Sequence, residues 1–485
     1  MQQGPLTAET HTGMVFLVGD RAYKVKKPVV TDFLDFSTLE SRERACAHEL
    51  ELNSRLAPDS YLGIGHFTPP GAGRVSRPRH APPPRRAPAG DHGPPRRRGR
   101  AGTGHHRPGA GPLPRLGRAG SRGGRRGAGG CHHRALGREP RRTQTVCRRR
   151  RPGLEPDAVA ETARLATDFI AGRAVLFARR IAEHKIVDGH ADLLADDIFC
   201  LDDGPALLDC LEFDDRLRYV DVIDDAAFLA MDLEFLSRPD LGRFFLQEYT
   251  RLSGDDAPAA LRDFYIAYRA VVRAKVDCVR YTQGHAEAAD DARAHLDIAR
   301  RHLRSGAVRL ILVGGGPGTG KTTLARSLAE RIGAEVVSTD DVRADMVRRG
   351  ELTGSPGTLD EGLYSTANVD AVYDAVLRRA HLSLCEGRSV ILDGTWHDGG
   401  HRDAARRLAE DVAAVMFQFA CTAPLDASVA RIRARTETTS QVTPEIATAL
   451  ADRDEPPWRG AHRIDTSRPL ADSVTEATEI CCLAI

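Results

Sequence analysis

The chain predicts an α/β architecture in which an interrupted α+β part is followed by a parallel sheet with helices on both faces. Three observations carry this expectation. After residue 306, apolar runs of strand length alternate with stretches of helical apolar spacing. Between the first such run and the first such helix lies Gly315-Gly316-Pro317-Gly318-Thr319-Gly320-Lys321-Thr322, which fits G-x-x-x-x-G-K-[ST]. Nearer the start, two short strands joined by a tight turn, and later two apolar runs ending on carboxylates, indicate a second sheet-containing part.

At 485 residues, two or three domains are expected. The net charge of +2 hides a strong asymmetry. Residues 71–152 hold 23 arginines, two acidic residues (Asp91 and Glu139) and no lysine, which leaves 46 Lys+Arg against 65 Asp+Glu elsewhere. No apolar run reaches transmembrane length, so no membrane partner is expected. Met1-Gln2-Gln3-Gly4-Pro5 lacks the layout of a signal peptide, and the ten cysteines contain no CxxC pair. A reducing cytoplasm is the expected location.

The elements follow in order. Val15-Phe16-Leu17-Val18, the turn Gly19-Asp20 and Ala22-Tyr23-Lys24-Val25-Lys26 predict a hairpin. Ser41 to Leu56 predicts a helix. From Gly71 to Pro152 the chain is Arg, Gly, Pro, Ala and His, which predicts disorder. The abrupt switch is what a GC-rich gene gives when read out of frame, and this explanation is preferred. A tract binding nucleic acid through phosphates is the alternative, disfavoured because aromatic residues to stack on bases are absent. Further on, Asp188 to Phe199 precedes the polar turn Asp202-Asp203-Gly204-Pro205, and Ala206-Leu207-Leu208 then leads into Asp209. Carboxylates closing apolar strands are costly unless they bind metal or accept protons. Leu261 to Val279 forms a helical apolar stripe, and His285 to Arg304, polar and Ala-rich, predicts a helical connector.

His190-Ala191-Asp192, with Asp197 five residues after Asp192 and Asp209 seventeen after it, resembles the aminoglycoside-phosphotransferase-like kinases, relatives of the protein kinases. The resemblance covers roughly residues 9–70 and 160–282 and implies a protein-kinase-like α+β fold. It implies Asp192 as the catalytic base, and Asp197 (where the family usually has Asn) and Asp209 as magnesium ligands. It also implies Lys24 as the phosphate-binding strand lysine, with Lys26 on the same strand face, and Glu49 as its helix partner. Ala191 stands where the family has Gly, and the arginine-rich segment lies where the family has its remaining N-lobe strands, hinge and first C-lobe helices. The implied domains are therefore 1–70 and 153–282 for the two kinase-like parts, 71–152 for the segment between them, 283–305 for the linker and 306–485 for the C-terminal domain.

In that last domain, Val308 to Val313 is a strand, and Leu324, Leu328 and Ile332 mark the following helix. Glycines let the backbone of 315–320 wrap a phosphate, with main-chain N–H groups and the helix N-terminus facing it. Lys321 would reach the β/γ-phosphates of ATP, the Thr322 hydroxyl would hold Mg²⁺, and Thr323 completes the helix start. Ala334 to Ser338, Ser389 to Leu392 and Val412 to Phe419 are further strands. Ser338-Thr339-Asp340-Asp341-Val342-Arg343 and then Val390-Ile391-Leu392-Asp393-Gly394-Thr395 resemble the small P-loop kinases of the polynucleotide-kinase and gluconate-kinase type, over about residues 306–485. That resemblance implies Asp340 as the base for the acceptor hydroxyl and Arg343 as the group that orients it. Asp393, following an apolar strand, is read as acting on Mg²⁺ through water, with a turn or N-cap role as the alternative. Arg431 and Arg435 share a helix face and are read as clamping the transferring phosphate, against a solvated basic face. Trp458 is read as packing rather than base stacking. The expected partner is an acceptor alcohol on a small molecule or a polynucleotide end. A nucleotide-gated regulator with a degenerate first domain is the alternative to a kinase.

Overall fold

The computed structural model describes residues 6–9, 12–30, 34–67, 75–80, 153–355, 361–434 and 458–483. Most of the arginine-rich segment, and 435–457 with Arg435, lie outside the described residues. In chain order the first elements are β1 (Leu6–Glu9), β2 (Gly13–Val18), β3 (Arg21–Lys26), α1 (Leu39–Asn53), β4 (Tyr61–Phe67) and β5 (Val75–His80). They are followed by α2 (Pro156–Gly172), α3 (Ala174–Ala182), β6 (Ile186–Asp188), β7 (Ile198–Leu201), β8 (Gly204–Leu207) and β9 (Tyr219–Asp221). The helices α4 (Val222–Phe235), α5 (Pro239–Ser253), α6 (Ala259–Thr282) and α7 (Ala288–Ser305) complete this part. The C-terminal part comprises β10 (Arg309–Gly314), α8 (Lys321–Ile332), β11 (Glu335–Ser338), α9 (Thr339–Arg348), α10 (Thr366–Cys385), β12 (Val390–Asp393) and α11 (Gly399–Asp411). It ends with β13 (Val415–Thr422), α12 (Leu425–Arg433), β14 (His462–Asp465) and α13 (Leu470–Leu483). Two compact units result: Met1–Cys131 with Lys185–Asp232, and His132–His184 with Leu233–Ile485.

The first unit contains a five-stranded sheet in the order β1-β2-β3-β5-β4. Gly19 turns the β2–β3 hairpin at φ 62, a left-handed conformation that glycine adopts without a Cβ penalty. The Thr38 hydroxyl caps α1 by accepting from Ser41 N at 3.1 Å. The helix then lies against β4 and β5 and buries Cys46, Glu49, Leu52 and Asn53. Strand β5 corrects the expectation that the sheet-forming part ends at residue 70. Val75–His80 pairs with both β3 and β4, inside the arginine-rich composition. A strand is held by main-chain N–H and C=O groups, which composition does not remove.

In the second unit every neighbouring strand pair of the sheet β11-β12-β10-β13-β14 is parallel. Alternation along β10 sends Ile311 and Val313 into a core with Leu324 and Leu328 of α8 and Ala477 and Cys481 of α13. Helix α10 lies against β10, β11 and β12, and its Val372 and Val376 are buried. Apart from α1 and most of α4, the remaining helices belong to this same unit. Helix α7, expected as a connector over 283–305, packs along α6 instead. Its small and apolar residues Ala288, Ala292, Leu296, Ala299 and Leu303 recur at helical spacing and are all buried. At the α2–α3 corner, a Cβ added to Gly172 would come within 2.0 Å of the Val412 carbonyl. The buried Arg173 guanidinium donates to that same carbonyl at 2.8 Å.

His302 on α7 is held between Asp263 (2.7 Å) and Glu234 (2.8 Å). Burial alone would lower its pKa, but the two carboxylates outweigh it and raise it to about 9. A folded-state pKa raised from 6.5 contributes stability that is complete below about pH 6.5 and gone above about pH 9. Denaturant midpoints measured between pH 6 and 9.5 are expected to fall across that window by the equivalent of about 2–3 kcal/mol. His302→Gln should flatten the dependence.

Candidate functional site

The second unit gathers the predicted phosphate-loop residues at the C-terminal end of β10. Gly315 (φ 141), Gly318 (φ 79) and Gly320 (φ 82) all hold conformations that L-residues rarely adopt. The surroundings also require glycine. A Cβ on Gly315 would lie 2.6 Å from the Cys421 carbonyl, and one on Gly318 would lie 2.4 Å from that of Ser428. Gly316 and the buried Pro317 complete the bend, and the Thr319 hydroxyl donates to Gly316 O at 2.8 Å, which stabilises the loop from within. Lys321 opens α8, followed by Thr322 and the exposed Thr323.

The Thr322 hydroxyl donates to Asp393 Oδ2 at 2.7 Å. Asp393 is 2 % exposed, and its Oδ1 has no hydrogen-bond partner among the described residues. Burial raises its pKa, opposed first by Lys321 and then by the Thr322 bond. Parallel pairing of β12 with β10 and β11 sets Asp393 beside Val313 and Ser338, at the edge where the loop begins. The Ser338 hydroxyl caps α9 by accepting from Asp340 N, so Asp340 stands in the first turn of α9. Arg343 Nη1 donates to Asp340 Oδ1 at 2.9 Å, and its guanidinium lies 4.6 Å over the Tyr364 ring. A hydroxyl, a buried unpaired carboxylate oxygen, a second carboxylate and two cations thus share one strand edge.

Arg431 is placed differently from the sequence reading. Its guanidinium donates to Thr466 O at 2.7 Å, to Thr466 Oγ1 at 3.3 Å and to Gly318 O at 3.4 Å. Thr466 Oγ1 in turn donates to Thr319 O at 2.6 Å. Arg431 therefore braces the loop backbone together with Thr466, a residue that no local pattern marks. Trp458 packs: its Nε1 donates to Gln418 Oε1 at 2.8 Å, and a Cβ on Gly314 would meet its ring at 2.3 Å.

The first unit brings together the other predicted residues. Lys24 Nζ lies 2.9 Å from Glu49 Oε1 and also pairs with Asp209. Lys26 Nζ lies 2.8 Å from Glu49 Oε2 and pairs with Glu212. Burial is the largest single influence on Lys24 and lowers its pKa, yet Asp209, Glu49 and Glu212 together hold the ammonium well above its ordinary value. The loop bearing Asp192 is fixed by Asp225 of α4, whose carboxylate accepts His190 N at 2.7 Å and Ala191 N at 2.8 Å. Ala191 has φ 64, a left-handed conformation that is strained for a non-glycine residue. Burial, then Asp209 and Asp192, push Asp197 up to about 8. Asp225 was not foreseen, although a carboxylate inside the apolar run Val222 to Leu229 is the kind of signal that singled out Asp209.

Among the described residues no three His, Cys, Asp or Glu side chains converge as a ready metal-ligand set, and no helix is long and apolar enough to cross a membrane. A family model described as an AAA domain matches residues 310–457. Uncharacterized protein Rv2004c of Mycobacterium tuberculosis and Uncharacterized protein Mb2027c of Mycobacterium bovis are each 52% identical over 490 residues, covering 97% of this chain and 94% of the relative. The chain belongs to their family. A shikimate kinase of Thermobifida fusca is 29% identical over 161 residues, covering 29% of this chain and 92% of that protein. Among solved structures, the Mycobacterium tuberculosis APS kinase CysC in complex with AMPPNP and APS is 18% identical and has a TM-score of 0.29, covering 36% of this chain and 97% of that one. The C-terminal domain is a kinase-like P-loop domain, of a class that binds nucleotide.

Gly318→Ala is expected to weaken ATP uptake by the full-length protein at least 100-fold in calorimetry, since the methyl meets main chain rather than a movable side chain. Gly333→Ala serves as the control. It has similar strain at φ 67 but open space around the Cβ, and should leave ATP uptake within a few-fold.

Proposed function

We propose that the C-terminal domain transfers the γ-phosphoryl group of ATP to a hydroxyl on a small molecule or a polynucleotide end. The observation that carries this reading is the pairing of Thr322 with the buried Asp393 beside the glycine loop, with Asp340–Arg343 at the end of the neighbouring strand. Backbone N–H groups of 315–320 and Lys321 bind the phosphates. Asp340 accepts the proton as the acceptor oxygen bonds to phosphorus and the bond to the β-phosphate oxygen breaks, releasing ADP. Arg343 holds Asp340 in place through its 2.9 Å bond and carries positive charge toward the same spot.

Magnesium fits the residues present. The unpaired Oδ1 of Asp393 and the Thr322 hydroxyl are hard oxygen donors at a buried site that disfavours an uncompensated charge. When bound, Mg²⁺ would neutralise charge on the phosphates. Lys321→Ala in the full-length protein is expected to abolish Mg²⁺-dependent ATP turnover. Asp340→Asn should lower turnover 10²–10⁴-fold while ATP affinity stays within a few-fold. Full activity in either variant refutes the assignment. Arg431, braced against Thr466 and Gly318, is assigned to holding the loop; a phosphate clamp from the predicted lid falls to Arg435.

A second reading, favoured by the Lys24–Glu49 pair and by the backbone grip of Asp225 on the Asp192 loop, gives the first unit its own phosphotransferase site. Here Lys24 would bind phosphate, Asp192 would take the acceptor proton, and Asp197 with Asp209 would hold magnesium. Burial, and then the neighbouring Asp209 and Asp192, push Asp197 up to about 8; a divalent cation would offset both influences, so these residues fit it too. In a Lys321→Ala background, any remaining ATP turnover should disappear with Asp192→Asn. Tight ATP binding with no turnover in either unit would instead make the protein a nucleotide-gated regulator.

A further inference from the structure

We infer that Asn53 is a positioning residue for Asp209, an inference that rests on the phosphotransferase reading of the first unit. Asn53 is fully buried at the end of α1, one helical turn after Glu49. Its Oδ1 accepts Cys210 N at 2.8 Å, and its Nδ2 donates to Glu49 O at 2.9 Å. One side-chain amide therefore joins the backbone of the residue that grips Lys24 to the backbone that follows Asp209.

The loop it holds needs holding. Asp209 has φ 63, a left-handed conformation for a non-glycine residue, which persists only where neighbours impose it. Four bonds do so. Asn53 takes Cys210 N, the Tyr61 hydroxyl on β4 accepts Asp209 N at 3.2 Å, Lys24 pairs with Asp209, and Lys26 pairs with Glu212. Asn53 differs from the two lysines because its bonds go to main chain, so they survive any rearrangement of the charged side chains. Phosphate arriving at Lys24 would compete with the Asp209 carboxylate, and the Asn53 amide would keep the Asp209 backbone in register while that ion pair opens. Removing it leaves the buried Cys210 N–H without an acceptor, a cost that favours the loop swinging out.

Cys210 supplies a local reporter, since it is 0% exposed and lies one residue after Asp209. Cys46, 1% exposed on α1 of the same unit, is the control for global unfolding. The experiment uses full-length protein carrying Lys321→Ala, with Asn53→Leu, which removes both bonds at similar volume, and Asn53→Asp, which keeps the acceptor for Cys210 N. Alkylation by N-ethylmaleimide is followed peptide by peptide, and hydrogen exchange of residues 205–214 is followed against added Mg²⁺ and ATP. Asn53→Leu should raise the labelling rate of Cys210 at least tenfold with Cys46 unchanged. It should also raise the Mg²⁺ concentration needed for protection tenfold or more, and Asn53→Asp should recover most of both. Unchanged Cys210 labelling in Asn53→Leu overturns the inference, as does equal exposure of Cys46 and Cys210 in both variants. Absence of Mg²⁺–ATP protection in the parent protein would instead refute the phosphotransferase reading of this unit, while the labelling comparison would still decide whether Asn53 restrains the loop.

Discussion

A carboxylate buried to 2% exposure with one oxygen unpaired is an unfavourable thing to build, and the C-terminal unit is arranged around it. Asp393 can be held there only because parallel pairing stops β12 at the same edge as β10 and β11, so that the loop, the Thr322 hydroxyl and the start of α9 arrive at one place. An antiparallel neighbour would send its end to the opposite edge. The two-sided core, with Ile311 and Val313 on one face and Leu310 and Leu312 on the other, is what makes this edge rigid. The glycine loop rests on that rigidity, since three glycines with many accessible conformations are held in one by the flanking strand and helix.

The first unit meets a related problem by a different route. It concentrates Lys24, Lys26, Glu49 and Glu212 in a small buried volume beside the half-exposed Asp209, where a buried charge lacking its counterpart would be costly. Glu49 answers two lysines at once because residues two apart on a strand share a face, so one glutamate from α1 can present one oxygen to each. Two lysines face three carboxylates, so the cluster has one carboxylate more than it has cations.

Much of this was legible in the sequence, for definable reasons. The glycine loop, Lys321, Thr322 and strands β10 to β13 follow from short-range pattern: periodicity, turn residues and motif spacing act within a dozen residues. The Lys24–Glu49 pair and the role of Asp209 in the same site were reachable only through resemblance, and the Lys24–Asp209 pair, 185 residues apart, was not expected. What escaped was long-range or backbone-directed. Thr466, Asn53 and Asp225 act on main-chain groups far away in sequence, and the neighbourhoods of Thr466 and Asn53 look ordinary. Helix α7 was read as a connector because its alanines carry little apolar weight, yet alanine permits the close approach to α6. Strand β5 was hidden because composition reports side chains, whereas sheet pairing is made by the backbone.

The corner at Gly172 and Arg173 bears on how the chain reaches its folded state. These residues are fitted against Val412, yet all of Lys185–Asp232 is synthesised in between and folds into the other unit. As the chain leaves the ribosome, the α2–α3 pair emerges long before its partner exists, with an arginine destined for burial and no carboxylate to meet it. The nascent protein must therefore keep that pair solvated or chaperoned until translation is nearly finished, so completion of the second unit is a late event in synthesis.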